Sequence, residues 1–254
     1  MEGISVMRSF IKAFNENSII IKEKFKHNII LIDKVFDNEI QLFELIGWTL
    51  KPEIQATNVV TPVAFSGFYK SLLSIYGAYD LTIKGQYGSA RILLRHAFEY
   101  LLTAKYCSLS KNDLLIKKWE IGDDISLNRD VISKLVTPLP KRFREFWKLL
   151  CQFTHASIYS QQVEVDAEKN EREINVNFSF IRALLEMNYH LFNRHMITSS
   201  MKFYFDSYGK EDEIVSFKQR KLEMRKLFSI SKQLMSQETK GIVKDYTSTW
   251  KLKV

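Results

Sequence analysis

The chain is short of the residues that make tight turns: 9 glycines and 4 prolines in 254 residues. A many-stranded sandwich or barrel needs a turn about every ten residues. The scarcity therefore argues against one and for long helices joined by a few loops. Cysteine is scarcer still. Cys107 and Cys151 stand in apolar helical surroundings without metal-ligand spacing. That predicts reduced, buried thiols and a cytoplasmic protein, with a disulfide between them as the lesser alternative. No apolar run approaches the roughly 18 residues that span a bilayer, because KEKFKH separates Ile19–Ile21 from Ile29–Ile32. The N-terminus alternates charged and apolar residues, unlike a secretory signal. Gly-rich phosphate loops, GxGxxG, HExxH, paired CxxC and GxSxG are all missing, so no cofactor or metal is expected.

What is present is an ordinary folded composition, 46% hydrophobic and 26% charged, patterned for helices. The expectation is one mainly all-α domain over 1–254: a HEPN-like central part (65–160), a small β-hairpin (161–178), then long C-terminal helices and a basic tail (179–254). A short helix is predicted over Ser5–Asn15. A long one runs from Ser18 to about Trp48 through Ile21, Phe25, Ile29, Ile32, Phe36, Ile40, Phe43 and Ile46. Thr61-Pro62 starts a helix that Gly85 stops, and another follows from about Gly88 to Cys107. Shorter helices are expected near Ser110–Ile121, Leu127–Val136 and Arg142–Thr154. Gln162–Asp166 and Glu173–Phe178 alternate with period two and predict the two hairpin strands. Ser179 caps a helix to Tyr208, and Glu211–Gln237 is the last long one. Beyond it, TSTWKLKV could form a terminal strand or dock on a partner.

The stretch QYGSARILLRHAFEYLLTAKY (Gln86–Tyr106) carries Arg91, Arg95 and Glu99 four residues apart on one edge of a nearly apolar helix. Such a helix belongs inside a bundle, where an unpaired charge costs several kcal/mol. Arg95 and Glu99 can pair with each other. Arg91 is left needing an anion: an acidic side chain, a phosphate or a partner protein. His155, in CQFTHASIYS, sits where an apolar helix gives way to small polar residues. There it is either a capping or core histidine or a general acid–base group. Glu120, Asp123 and Asp124 could hold Mg²⁺ with Glu99, but they answer Lys117 and Lys118 around a turn equally well.

The helix ending in Gly, the R-x-x-x-E helix (Arg95, Glu99) and the later H-x-S element (His155, Ser157) resemble a group of prokaryotic helical proteins similar to the HEPN superfamily. The likeness covers roughly Phe65–Ser160. It implies a helical bundle, and many HEPN proteins are RNases of toxin–antitoxin or antiviral systems. Their signature is an arginine followed four to six residues later by histidine. Arg91 and His96 have that spacing, with Ile92 where a polar neighbour is usual. The candidate catalytic set under this resemblance is Arg91, Arg95, His96, Glu99 and His155.

The net charge of +8 is unevenly spread: Lys210–Val254 holds 11 Lys or Arg against 6 Asp or Glu. Lys218, Arg220, Lys221, Arg225 and Lys226 form one candidate nucleic-acid surface. Lys141, Arg142, Arg144 and Lys148, interleaved with Phe143, Phe146 and Trp147, form another. The plainer reading of both is a solvated helix face with aromatics turned inward. Three functions follow as expectations. The first is a non-enzymatic accessory subunit that binds a protein partner and contributes a basic surface to RNA or DNA, as in antiviral defence. The second is a metal-independent HEPN-type RNase. The third is a structural homo-oligomer pairing the helices Ser18–Trp48 and Phe180–Tyr208.

Overall fold

The computed structural model describes residues 2–49, 60–109, 117–118, 121–123, 130–134, 141–152, 171–196 and 211–247. These form eight α-helices and no strand among the described residues: α1 (Glu2–Lys24), α2 (Lys26–Thr49), α3 (Val60–Ile83), α4 (Tyr87–Leu109), α5 (Lys141–Gln152), α6 (Glu171–Phe192), α7 (Glu211–Leu234) and α8 (Gln237–Thr247). A 3₁₀ turn, Ile132–Lys134, lies between α4 and α5. None of the described helices is long and apolar enough to cross a membrane.

The expected short and long N-terminal helices divide elsewhere than at Asn15–Ser18. Helix α1 runs through to Lys24, and only Phe25 interrupts it. The i→i−4 ladder passes through that residue, from Phe25 N to Ile21 O (2.9 Å) and from Ile29 N to Phe25 O (3.0 Å). Phe25 is buried against Phe178, so packing holds the bend.

Helices α3 and α4 form an antiparallel hairpin. Gly85 ends α3 with a φ of +80°, and the bonds Gly85 N→Thr82 O and Gln86 N→Leu81 O close a Schellman cap. A Cβ at Gly85 would lie 2.8 Å from Asn17 Nδ2, which α1 lays over the turn. Along the hairpin, Ser71 Oγ donates to Ala97 O at 3.0 Å. A Cβ at Gly77 would come within 2.9 Å of Leu93, so the two helices approach closely there.

Helix α6 is the hub. From Phe180 to Tyr189 every residue is buried, and it packs against α2, α3, α4, α7 and α8. A stretch buried on every side lies inside a bundle, and the polar groups it carries must find partners there. Phe43 of α2 stacks on Phe192 at 3.9 Å between ring centroids. Phe146 of α5 meets Phe98 and Phe180 edge-on. Arg182 ties three helices together: it donates to Asn28 Oδ1 at 2.6 Å and to the last carbonyl of α7, Leu234 O, at 3.2 Å. Burial pushes its pKa down to about 10. One apolar cluster extends from Ile21 to Val243.

Two local expectations need correction. Glu173–Phe178, the expected second hairpin strand, is the first part of α6. Its period-two alternation conceals a helical set, Ile174, Asn177, Phe178 and Ile181, all fully buried. Burial on one helical face outweighs the β-branched residues' preference for strand. The expected first strand, Gln162–Asp166, lies outside the described residues. Thr239–Thr247, expected as part of a short tail, is helical within α8. Ser236 caps it, accepting from Thr239 N at 3.1 Å. The remainder of TSTWKLKV lies outside the described residues. Both cysteines are free thiols; Cys107 is buried, and burial raises its pKa to about 12.

Candidate functional site

The charged edge of α4 splits into two parts with different surroundings. Arg91 has 6% of its surface exposed and is fully engaged by α6. Its Nε donates to Asn177 Oδ1 at 2.8 Å, and its Nη2 forms an ion pair with Glu173. Asn177 in turn donates to Thr82 Oγ1 and to Tyr87 O, both at 3.2 Å. The anion that Arg91 needs is therefore an acidic side chain of the same chain, and the knot fastens α6 to the α3–α4 turn.

Arg95 and Glu99 lie one and two turns further along, about a quarter exposed. Arg95 Nε donates to Glu99 Oε1 at 2.8 Å. The imidazole of His96 is half-exposed, with Nδ1 at 3.6 Å from Glu99 Oε2. Arg91 and His96 diverge by about 140° around the helix, so the spacing that matches the HEPN signature does not bring them together. Cys151, at the end of α5, lies within electrostatic reach of Arg95 and Glu99; burial raises its pKa, Arg95 opposes the rise and Glu99 adds to it. His155, four residues further in sequence, lies outside the described residues, as do Glu120 and Asp124. Asp123 is exposed. Among the described residues no group of three His, Cys, Asp or Glu side chains is placed to hold a metal.

The basic candidates are sorted by how their helices pack. On α5, Arg144 and Lys148 are exposed while Phe146 and Leu150 are buried; Lys141 and Arg142 open the helix. On α7 the core face is Phe217, Met224, Phe228 and Ser231. Relative to that face, Lys218, Lys221, Arg225 and Lys232 fall within an arc of about 60° on one flank. Lys226 lies on the solvent side. Arg220 turns inward, 3.4 Å from Asn38 Oδ1. Burial and the neighbouring Arg225 push the Lys221 pKa down, as happens when cations gather beside cations.

Three groups escaped the sequence reading. Glu39 on α2 has no exposed surface, and neither carboxylate oxygen has a hydrogen-bond partner among the described residues. Burial raises its pKa well above the usual carboxylate range. Its position, four residues after Val35 and four before Phe43, was the available signal. Lys105 on α4 is 1% exposed, its pKa pushed down to about 7 by burial and by Arg194. His195 beside them is pushed down to about 4 by burial, Arg194 and Lys105. Glu186 on α6 is 1% exposed and answers Lys232 of α7 at 2.9 Å and His190 at 3.3 Å, both through Oε1.

Compared with protein-family models, curated proteins and solved structures, the chain matches none.

Proposed function

We propose that the chain is a non-enzymatic helical subunit that works beside a partner protein and contributes a basic surface to a nucleic acid. The observation that carries this reading is the flank of α7. Lys218, Lys221, Arg225 and Lys232 line one side over about 21 Å, at 1.5 Å per residue, a length that suits a strand backbone of several phosphates. An exposed apolar row on α3, Tyr69, Leu73 and Tyr76 (40%, 50% and 52% exposed), supports the accessory part, because such rows mark contacts with other chains. The burial of α6 inside its own chain favours this reading over a homo-oligomer paired through that helix.

Binding of a fluorescent single-stranded RNA or DNA across a salt series tests the proposal. Affinity should fall steeply with salt. The Lys218→Glu/Lys221→Glu/Arg225→Glu variant should lose most of it, with the slope of log K against log salt reduced by about 2 if three phosphate contacts are removed. Unchanged binding by that folded variant would refute the surface.

The RNase reading retains one supporting observation, the partly exposed Arg95–Glu99 pair beside Cys151, four residues before His155. An arginine there could steady a phosphate while an imidazole moves a proton. It requires that Arg95→Ala and His155→Ala each abolish cleavage of a mixed RNA pool by a chain that stays folded. An RNA pool left intact by the unmodified chain, with and without Mg²⁺, rules it out.

A further inference from the structure

A cavity of about 360 Å³ opens between α6, α7 and α8. Glu186 and His190 come from α6, Lys232 from α7, and Lys240 and Lys244 from α8, while Met235 and Val243 give it an apolar wall. The turn after Leu234, capped through Ser236, folds α8 back and so brings lysines from two helices to one opening. Three lysines and a histidine thus line one opening together with one carboxylate. That carboxylate is only half used: Glu186 Oε1 holds Lys232 and His190, while Oε2 is buried with no hydrogen-bond partner among the described residues. Glu186 is only 1% exposed, so its carboxylate offers almost no surface to an anion in the cavity.

We infer that this cavity binds a phosphate monoester. The three lysines suit a monoester, which bears close to two negative charges at neutral pH, better than an internal diester, which bears one. The volume lies in the range of small-molecule sites. Lys232 belongs both to the α7 flank and to the cavity wall, so a strand lying along the flank can deliver its terminal nucleotide here. This rests on the nucleic-acid reading in one respect only, the source of the monoester: a strand end or a free nucleotide.

The test compares a 12-nucleotide RNA bearing a phosphate at its 5′ end, at its 3′ end or at neither, by fluorescence anisotropy on the full chain, with adenosine monophosphate and inorganic phosphate titrated by calorimetry. One phosphorylated end should bind roughly tenfold more tightly than the unphosphorylated RNA, as expected for added charge-assisted hydrogen bonds. The Lys240→Glu/Lys244→Glu variant should lose that preference. The Lys218→Glu/Arg225→Glu variant should weaken all three RNAs alike and keep it. Adenosine monophosphate should bind more tightly than inorganic phosphate. Equal affinity for the three RNAs with no heat from adenosine monophosphate overturns the cavity proposal, even if salt-sensitive RNA binding upholds the α7 surface. A preference that survives Lys240→Glu/Lys244→Glu overturns it as well. Binding of adenosine monophosphate without any RNA binding upholds the cavity as a free-nucleotide site and removes the nucleic-acid reading.

Discussion

Of the ionisable side chains with almost no exposed surface in this bundle, Arg91 and Glu39 have surroundings that differ completely. Where α4 crosses the start of α6, Arg91 meets an amide and a carboxylate. In the interior face of α2, Glu39 meets no hydrogen-bond donor among the described residues. The first charge is kept and fixes how two helices register. The second is pushed toward holding its proton, since burial disfavours the ionised form. A buried pair is costly to break, whereas an unanswered acid is costly to keep.

The comparison is broken most forcefully at Glu173. Glu173→Ala strands the Arg91 guanidinium and should cost about 3 kcal/mol of unfolding free energy, measured by urea denaturation. Replacing Arg91 by Met in that background should recover part of the loss. Glu39→Met should act in the opposite direction, stabilising the protein by about 2 kcal/mol at pH 7. The sign follows from linkage. In the unfolded chain this acid ionises above about pH 4.3, while the folded state retains the proton, so stability contributed at low pH is lost as pH rises from there. The Met variant should lack that slope, and a parallel pH profile in both proteins would contradict the assignment. The smallest effect is expected for Arg95→Ala. Its pair with Glu99 is partly solvated, and the change should be about 0.5 kcal/mol or less by the same denaturation assay.

Much of the helical framework was legible because it is written locally. The continuous apolar pattern around RILLRHAFEYLL marks α4, and Gly85 marks the end of α3 by the conformation that only glycine adopts cheaply. The start of α6 was misread because Ile174, Val176 and Phe178 satisfy a period of two, and the helical partner Asn177 looks polar until Arg91 is placed against it. That partnership spans 86 residues, a separation no local pattern carries. Glu39 was within reach, since a helical wheel puts it on the apolar side of α2. The grouping around Glu186 was not, because it depends on the reversal at Ser236 that returns α8 to α6. The sorting of the α7 cations into an outward flank and an inward Arg220 needed the packing of α7 on α2.

The seat of the first helix is one hydrogen atom wide. Asn17 rests on the bare α-carbon of Gly85 at the bend between α3 and α4. Any larger residue there would strain the bend, whose φ is +80°, and push the end of the Asn17 side chain aside. The N-terminal helix thus meets the central hairpin at a point where residue 85 leaves room for the Asn17 amide.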